Sequence, residues 1–285
     1  MSKEAMSSPA DLARIANILI CPKCSAQVKI QPDLILCAGC GAKYPIHEGI
    51  PFLARMGTAN TWDGTTKDET NSKEYQEQYH EIEKAAEYNI EYKEIFLKRM
   101  STAREYMLLR RLLKSQGRSG MLLELPCGGG RLSPQLAPFT NLLVEADIAE
   151  GQVLYGKKNV TSETPRIWMT ASAFHIPFKD DSFDGTVCIR LCHHLPTANE
   201  RERLIKELFR VSKRFVIMTF FDYHSLKNLL RRMRQPFDHK PPKMTMTVDE
   251  VRKQASENGA ELVECPSLMS LSSGHRYALM VKNKP

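Results

Sequence analysis

From residue 121 onward, short apolar runs alternate with longer stretches in which apolar and polar residues mix. The apolar runs at 121–125, 141–145, 185–190 and 214–220 have the length of buried strands. The stretches between them are long enough for crossover helices, a pattern that is typical of a parallel sheet. We therefore predict an α/β fold in which a mostly parallel sheet carries helices on both faces.

The N-terminal region has a different pattern, built on four cysteines. Cys21, Cys24, Cys37 and Cys40 form a C-x2-C-x12-C-x2-C spacing. Two C-x2-C knuckles can place four thiolates at the corners of a tetrahedron, about 2.3 Å from a zinc ion. Such a ligand set leaves no coordination position open, so we predict a structural Zn²⁺ site. A module of this size buries little apolar surface, and the metal would supply much of its folding free energy.

Two short strands are expected between the cysteine pairs. Residues 28–30 and 34–36 have strand character, and residues 31–33 form the turn between them. Gly39 and Gly41 are expected at the positive-φ positions of the second knuckle. The region therefore predicts a small zinc-ribbon-like β module.

A glycine-rich turn follows the apolar run at 121–125. Residues 126–130 read Pro-Cys-Gly-Gly-Gly, and residues 131–134 then open a helix. In a strand–turn–helix context, glycine lets the backbone approach a nucleotide closely. An acid about 20 residues further on can accept hydrogen bonds from ribose hydroxyls. Asp147 is the first candidate for this acid and Glu145 is the second.

The segment from about residue 112 to 284 resembles the class I S-adenosylmethionine-dependent methyltransferases, in particular those of type 11. Its glycine turn has the family's form of an acid followed by x-x-C-G-x-G, with Glu124 as the acid. The resemblance implies a Rossmann-like sheet and S-adenosyl-L-methionine as the cofactor, held by Glu124, Pro126, Gly128, Gly130 and Asp147. Pro126 stands where the family usually has glycine.

A second stretch carries the same resemblance. Residues 171–178 read Ala-Ser-Ala-Phe-His-Ile-Pro-Phe and Ser-Phe-Asp follows at 182–184, which is similar to the family's D-A-x-x-L-P-F…S-F-D segment. The resemblance implies adenine contacts from Ser172, Ala173 and Phe174. Ser172 replaces the usual acid, so we expect recognition through backbone groups near Ala173 and stacking by Phe174. Arg190, the last residue of the fourth strand, is a further candidate for cofactor binding, and a hairpin of 262–269 with 277–282 closes the expected sheet.

The cysteine-containing stretch from Ile18 to Leu53 resembles the Trm112-like family of zinc modules. The resemblance is carried by residues 19–24, 36–40 and 44–52. In that family such modules partner with methyltransferases, as separate chains or fused, which implies an accessory role here. The expected domains are therefore a zinc module at 1–56, a linker with helices at 57–110 and the methyltransferase domain at 111–285.

The linker region changes character at residue 73. Residues 57–72 are rich in Thr, Asn, Gly and Asp, whereas apolar residues recur at helical spacing from 73 to 114. Two interpretations stay open for the first of these helices. It packs into the core, or it forms a lid over the cofactor cleft with Tyr75 or Tyr79 reaching in.

Two adjacent histidines follow the fourth strand. His193 and His194 lie at the carboxyl edge of the sheet, where open α/β sheets bind ligands. Methyl transfer needs a general base only when the acceptor must lose a proton. We rank His194 first as that base and His193 second, ahead of Tyr223 and His224, with a structural hydrogen bond as the alternative role of either adjacent histidine.

Composition and charge bear on the class of molecule that accepts the methyl group. The chain of 285 residues has no apolar run near the roughly 20 residues of a membrane span, which favours the cytoplasm. We expect a small-molecule or lipid-type acceptor in an apolar pocket; its proposed lining is Phe221, Tyr223, Leu226, Leu229, Leu230, Met233 and Phe237. The alternative is rRNA or tRNA, bound by the basic 227–243 segment, the zinc module and the net charge of +7. A non-catalytic cofactor-binding protein is the third reading, and the oligomeric state is open.

Overall fold

The computed structural model describes residues 12–54, 96–234, 244–269 and 273–283, with side chains from residue 101 onward in the second range. The predicted linker 57–72, the expected helical stretch at 73–95 with Tyr75 and Tyr79, and Phe237 lie outside the described residues. The small sheet contains β1 (Val28–Ile30), β2 (Leu34–Cys37), β3 (Lys43–His47) and β4 (Ile50–Pro51). The helices are α1 (Phe96–Gln116), α2 (Ser133–Leu136), α3 (Glu150–Asn159), α4 (Ala198–Val211), α5 (Leu226–Arg234) and α6 (Val248–Glu257). The large sheet contains β5 (Ser119–Glu124), β6 (Thr140–Asp147), β7 (Arg166–Thr170), β8 (Phe183–Cys188), β9 (Ser212–Phe221), β10 (Ala260–Glu264) and β11 (His275–Lys282).

The large sheet has seven strands in the order β10-β11-β9-β8-β5-β6-β7. The five strands from β9 to β7 are parallel, and β11 pairs antiparallel with both β9 and β10. The strand order therefore reverses between β5 and β8, and a ligand crevice opens outside the carboxyl ends at such a point. The predicted α/β fold is confirmed, including the antiparallel strand pair at its end.

The two faces of the sheet are covered by different helices. Leu122 of β5 belongs to the core with α1 and α2, whereas Leu123 belongs to the core with α4 and α6. Alternation along a strand sends successive side chains to opposite faces, so a near-continuous apolar run fills both cores. None of the described helices combines the length and the hydropathy that a membrane span requires.

The N-terminal module is a four-stranded antiparallel sheet in the order β1-β2-β3-β4. Strands β1 and β2 lie as predicted on either side of residues 31–33. Gly41 has φ of 71°, as expected, but Gly39 does not adopt positive φ. A Cβ on Gly39 would lie 2.6 Å from the Cβ of Ala26, so this glycine is required for space and not for a left-handed backbone.

The helix after the glycine turn is shorter than its sequence suggests. Pro134 lies in the first turn of this helix, where proline is favoured. After Leu136 the backbone forms a 3-10 turn at residues 137–139, which contains Pro138. The chain then enters β6 directly, and this brings the end of β6 beside the glycine turn.

Candidate functional site

The glycine turn and the end of β6 meet at the carboxyl edge of the sheet. Gly128 and Gly130 have φ of 52° and 75°, a conformation that glycine adopts without a steric penalty. The Gly128 amide donates to Oδ2 of Asp147 at 2.8 Å, and the Ala149 amide donates to Oδ1 at 2.9 Å. A Cβ placed on Gly128 would meet only Gln152 within 4 Å, at 3.9 Å. At Gly128 the turn therefore leaves open space over its backbone next to a buried carboxylate, whereas a Cβ on Gly130 would meet Trp168 at 2.6 Å.

The carboxyl of Asp147 is fully buried and this burial sets its acidity. Desolvation raises its pKa to about 6, against the amides of Ala149 and Gly128, which favour the ionised form. A carboxylate at this position can accept hydrogen bonds from two vicinal hydroxyls. This geometry is the one expected of a ribose ligand, so it suits the role predicted for Asp147.

Glu145, the second candidate for that role, lies elsewhere. It pairs in register with Glu124 on the neighbouring strand, and both side chains are buried. Burial and the adjacent carboxyl raise the pKa of Glu124 well above its ordinary value, and burial also raises the pKa of Glu145. Two interacting buried carboxyls oppose each other's ionisation. The pair lies behind the glycine turn, and Asp147 is the acid that touches the turn.

The other predicted cofactor residues surround this turn. Pro126 follows a cis peptide bond at its start. Ser172 accepts a hydrogen bond from the Phe174 amide at 3.2 Å, so its hydroxyl stabilises its own loop. Ala173 and Phe174 are 8% and 5% exposed, and the guanidinium of Arg203 lies 5.1 Å from the Phe174 ring centroid. The Phe174 ring packs into the core in this state, and its stacking on adenine stays a prediction.

Arg190 takes part in a buried ionic network that the sequence did not reveal. Glu105 of α1 is fully buried and forms ion pairs with Arg131, directly after the glycine turn, and with Arg190, at 3.2 Å. The Tyr277 hydroxyl donates to the same carboxylate at 2.5 Å. Desolvation raises the pKa of Glu105, but the two guanidiniums outweigh it and lower the value to about 2. The network fixes Arg190, whose backbone has φ of 67°, beside the glycine turn.

The sequence contains a pattern that predicts the burial and pairing of Glu105. It lies on the stripe formed by Leu108, Leu109 and Leu112, which are buried in the core below α1. An acid at spacings of three, four and seven from buried leucines points inward. Lys, Glu, Arg and Asp are almost never fully buried unless paired, so such an acid predicts a cationic partner.

The two predicted histidines lie on opposite sides of a 3-10 turn at residues 192–194. His193 is 6% exposed and stacks on Phe221, with ring centroids 4.1 Å apart and an interplanar angle of 18°. His194 is exposed, and its ring centroid lies 4.2 Å from that of His193. His193 therefore belongs to the interior of the carboxyl edge, and His194, the first candidate base, lies at its surface.

His275 is a third imidazole at this edge and was not among the predicted site residues. Its ring meets those of His193 and Phe221 edge to face, at 5.1 and 4.4 Å. Burial and then the nearby Arg190 lower the pKa of His275 to about 3. It therefore stays neutral at physiological pH. Because β11 pairs with β9 across about 55 residues of sequence, no local pattern places His275 beside Phe221.

The four cysteines of the N-terminal module converge. Their Sγ atoms all lie within 4.8 Å of one another, with Cys21 and Cys40 at 3.8 Å and Cys24 and Cys37 at 3.4 Å. Zinc–sulfur bonds of about 2.3 Å in a tetrahedron place sulfurs about 3.8 Å apart. The cluster therefore has the size of a zinc site.

Backbone and side-chain donors support thiolates in this cluster. The amides of Gly39 and Cys40 each donate to Cys37 Sγ at 3.3 Å. Burial raises the pKa of the Cys37 thiol, but these two amides outweigh it and lower the value to about 6. The Tyr44 hydroxyl lies 3.2 Å from Cys21 Sγ. Donors of this kind orient metal ligands and favour their ionised form.

The cysteine module holds the predicted adenine loop at both ends. At the near end, the Leu53 amide donates to the Thr170 carbonyl at 3.2 Å, and the Ala54 amide donates to Thr170 Oγ1 at 3.1 Å. At the far end, the Ile20 amide donates to the Pro177 carbonyl at 3.0 Å. The Lys179 amide in turn donates to the Ile18 carbonyl at 2.9 Å. Residues 171–178 are thus anchored to the module at both ends.

The strand order, the glycine turn and the acid at the end of β6 define the fold of the class I methyltransferases, with a small antiparallel cysteine module attached. Residues 123–218 match a family model described as a methyltransferase domain. The magnesium protoporphyrin IX methyltransferase of Synechocystis with bound S-adenosylmethionine is similar in structure, with a TM-score of 0.58 and 15% identity. The similarity covers 77% of this chain and all of that one, and it concerns the fold.

Curated relatives match over a shorter segment. YqeM of Bacillus subtilis is 31% identical over 107 residues, 37% of this chain and 43% of YqeM. A demethylmenaquinone methyltransferase of Clavibacter sepedonicus is 32% identical over 35% of this chain and 40% of its own length. The tRNA (carboxymethyluridine(34)-5-O)-methyltransferase of Arabidopsis thaliana is 28% identical over 38% of this chain and 25% of its own length. The chain thus spans less than half of each of these relatives.

Proposed function

We propose that this chain transfers a methyl group from S-adenosyl-L-methionine to a small-molecule or lipid-type acceptor. The observation that carries the proposal is the contact between Gly128 and Asp147 at 2.8 Å, under open space at the carboxyl edge. A nucleoside lies well in such a place, because the bare backbone allows close approach and the carboxylate accepts from the ribose. The match of residues 123–218 to a methyltransferase domain supports this reading.

The protein's part in the reaction is mainly alignment. The bound cofactor supplies a methyl group already activated on a sulfonium. Asp147 holds the ribose, and the loop from Ser172 to Phe174 bounds the adenine side. The Glu105 network fixes Arg190 and Arg131 next to the glycine turn, where the carboxylate of the cofactor's methionine part would lie. Holding two reactants in line converts a bimolecular displacement into an effectively unimolecular one.

The acceptor side is the edge that carries His193, Phe221 and His275. These three rings pack against one another at the carboxyl edge of the sheet. The imidazoles of His193 and the exposed His194 can accept a proton from an acceptor, whereas the low pKa of His275 makes it a poor base. A relative named for demethylmenaquinone supports a small-molecule or lipid-type acceptor.

An RNA acceptor is the second candidate. Helix α5 contains Lys227, Arg231, Arg232 and Arg234 and no acid, and one relative is named as a tRNA methyltransferase. Phosphate contacts by such residues make binding strongly dependent on salt. The test measures the affinity of the chain for bulk tRNA at low and at physiological salt, and then in Arg234→Gln. A steep fall with salt and a further fall in the variant would favour the RNA acceptor over the first candidate.

The proposed activity is tested by following labelled methyl groups. The purified chain is incubated with methyl-labelled cofactor and with separated RNA, lipid and small-molecule fractions of a cell extract. We expect label in the lipid or small-molecule fraction, and none with Asp147→Ala. Label in RNA alone would replace the first candidate by the second, and binding of S-adenosylhomocysteine without label in any fraction would refute the enzymatic proposal.

A further inference from the structure

Helix α5 turns its apolar side away from the protein. Its four large apolar side chains recur at helical spacing and are 43–65% exposed; they are Leu226, Leu229, Leu230 and Met233, hereafter the α5 stripe. A surface helix normally buries such a stripe against the core. The observed orientation corrects our expectation that these residues line an apolar pocket, and Tyr223, expected in the same lining, is also 43% exposed.

The α5 stripe concentrates the exposed apolar surface of the protein. Seven large hydrophobic side chains are exposed in the described part of the chain, and four of them belong to the stripe. Single exposed apolar residues are common on protein surfaces, whereas a contiguous group of them marks an interaction surface. The stripe therefore calls for an apolar partner.

The opposite face of α5 is attached to the protein by polar contacts. Asn228, at 1% exposure, donates from Nδ2 to the carbonyls of Asp222, at 2.9 Å, and Gly274, at 3.3 Å. A Cβ on Gly274 would lie 2.4 Å from this Nδ2, so the side chain fits against bare backbone. Arg231 donates to Oδ1 of Asn228 at 2.9 Å, and its guanidinium lies 4.8 Å from the centroid of the Phe221 ring. These contacts keep Asn228 inward, so the stripe on the other side of the helix stays exposed.

Cations border the α5 stripe on both sides. At about 3.6 residues per turn, Lys227 and Arg234 fall on one side of the stripe and Arg232 falls on the other. Lys227 and Arg234 are exposed. Helix α5 contains no acid, and Asp222, which precedes it, is already in an ion pair with Arg276 at 2.7 Å. The apolar surface is thus bordered by positive charge that the helix itself does not neutralise.

This combination of charge and apolar surface discriminates between partners. RNA would neutralise the cations but would leave the α5 stripe in water. A second copy of this chain, related by a two-fold axis, would bring the same cations face to face. A bilayer with anionic lipids offers acyl chains to the stripe and phosphates to the cations, whose long stems can stay in apolar surroundings while their heads reach the headgroups. Charge complementarity therefore favours the bilayer.

We propose that α5 docks the protein on membranes that contain anionic lipids. The α5 stripe enters the boundary between headgroups and acyl chains, and Lys227, Arg232 and Arg234 bind lipid phosphates. The inference goes beyond methyl transfer, because docking requires neither cofactor nor acceptor. Strand β9 ends at Phe221 and α5 begins at Leu226, so docking holds the carboxyl edge of the sheet close to the bilayer.

The test is sedimentation of the full chain with lipid vesicles in the absence of cofactor. Vesicles of phosphatidylcholine mixed with phosphatidylglycerol carry negative charge, and vesicles of phosphatidylcholine alone are the neutral control. We expect the charged vesicles to bind about 100-fold more tightly, because each of the three cations contributes about a fivefold factor at an anionic surface. High salt should reduce this preference. Equal binding to both kinds of vesicle, or no binding to the charged ones, would overturn the proposal.

A matched pair of methionine variants assigns the binding to the α5 stripe. Met233→Gln should weaken binding to the charged vesicles about tenfold, because it places a polar group where the stripe meets the acyl chains. Met107→Gln is the control, since Met107 is 57% exposed, compared with 65% for Met233, and lies on α1. It should leave vesicle binding unchanged. Arg234→Gln should weaken binding about fivefold. Equal effects of the two methionine variants would contradict the role of α5.

The same variants identify any other occupant of the stripe in a chain that does not bind vesicles. Binding to bulk tRNA that Arg234→Gln weakens and Met233→Gln does not would assign the cations to RNA. A dimer that Met233→Gln converts to a monomer in light scattering would assign the stripe to a second copy. Absence of both would assign it to another part of this chain, and each of these three results refutes docking. Vesicle binding as expected without methyl transfer leaves docking intact and refutes only the proposed function.

Discussion

The attachment of the cysteine module to the adenine loop predicts that metal loss weakens cofactor binding. The perturbation is Cys24→Ser, at an exposed member of the cluster. Serine is nearly isosteric, but its hydroxyl is a poor zinc ligand compared with a thiolate. Structural zinc contributes on the order of 10 kcal/mol to the folding of small modules, so β1 to β4 should loosen when it is lost.

The expected loss of cofactor affinity is estimated from the four hydrogen bonds that attach the ends of residues 171–178 to the module. Two of them reach Thr170 and two reach the stretch from Pro177 to Lys179. Each is worth about 1 kcal/mol net, and reordering two released loop residues would cost the cofactor about 1–2 kcal/mol each. We expect a loss of about 2–4 kcal/mol, which is roughly a 30- to 700-fold rise in Kd. Binding persists because Gly128 and Asp147 lie outside the module's contacts.

The assay is titration calorimetry with S-adenosylhomocysteine, accompanied by metal analysis and circular dichroism. Cys265→Ser is the matched control, since Cys265 lies outside the cluster. The unmodified chain and this control should contain about one zinc and bind equally. If Cys24→Ser keeps its metal, the double variant with Cys40→Ser replaces it. A metal-free variant with unchanged secondary structure and unchanged affinity would refute the reasoning.

Three further predictions concern buried carboxyls. Asp147→Asn should weaken S-adenosylhomocysteine binding about tenfold or more in calorimetry, because it removes a charged acceptor; unchanged affinity would contradict the ribose role. Since burial raises the pKa of Asp147 to about 6, affinity of the unmodified chain should fall as pH drops below that value, and Asp147→Asn should flatten this dependence. Glu105→Gln should lower the free energy of urea unfolding by about 3–5 kcal/mol, because it leaves Arg131 and Arg190 without their carboxylate. Folding lowers the pKa of Glu105 to about 2, so its contribution to the free energy of unfolding is present above the unfolded value near 4.5 and is lost as pH falls toward 2. If neither the substitution nor the drop in pH changes the stability, the network is not a stabilising feature.

The parts of the site that could be predicted are those that lie close together in sequence. The glycine turn follows its strand directly, and Asp147 ends the next strand in the same βα unit. The same holds for the cysteine cluster, where two knuckles on one small sheet bring four sulfurs together. In these cases spacing along the chain determines distance in space, so the pattern is sufficient.

The acceptor side depends on contacts that spacing does not encode. His275 reaches Phe221 only because β11 inserts between β9 and β10. For α5, hydrophobic periodicity identified two faces but did not determine which one is buried. Asn228 favours the observed orientation, since its buried side chain donates to the carbonyls of Asp222 and Gly274, and an outward-facing asparagine would lose both hydrogen bonds. The exposed apolar face of α5 is a consequence of that choice.

The segment that matches the methyltransferase family model is incomplete as the proposed cofactor site. Residues 123–218 contain Arg131 and Arg190, but the carboxylate that pairs with both belongs to α1 and the hydroxyl that completes the network belongs to Tyr277 of β11. The adenine loop lies inside the segment, and its attachments come from the cysteine module outside it. Two partly buried guanidiniums are unfavourable without their carboxylate, so α1 and β11 help to stabilise the matched segment. The match of residues 123–218 therefore bears on the cofactor, and α5 and β11, which flank the edge proposed for the acceptor, lie outside it.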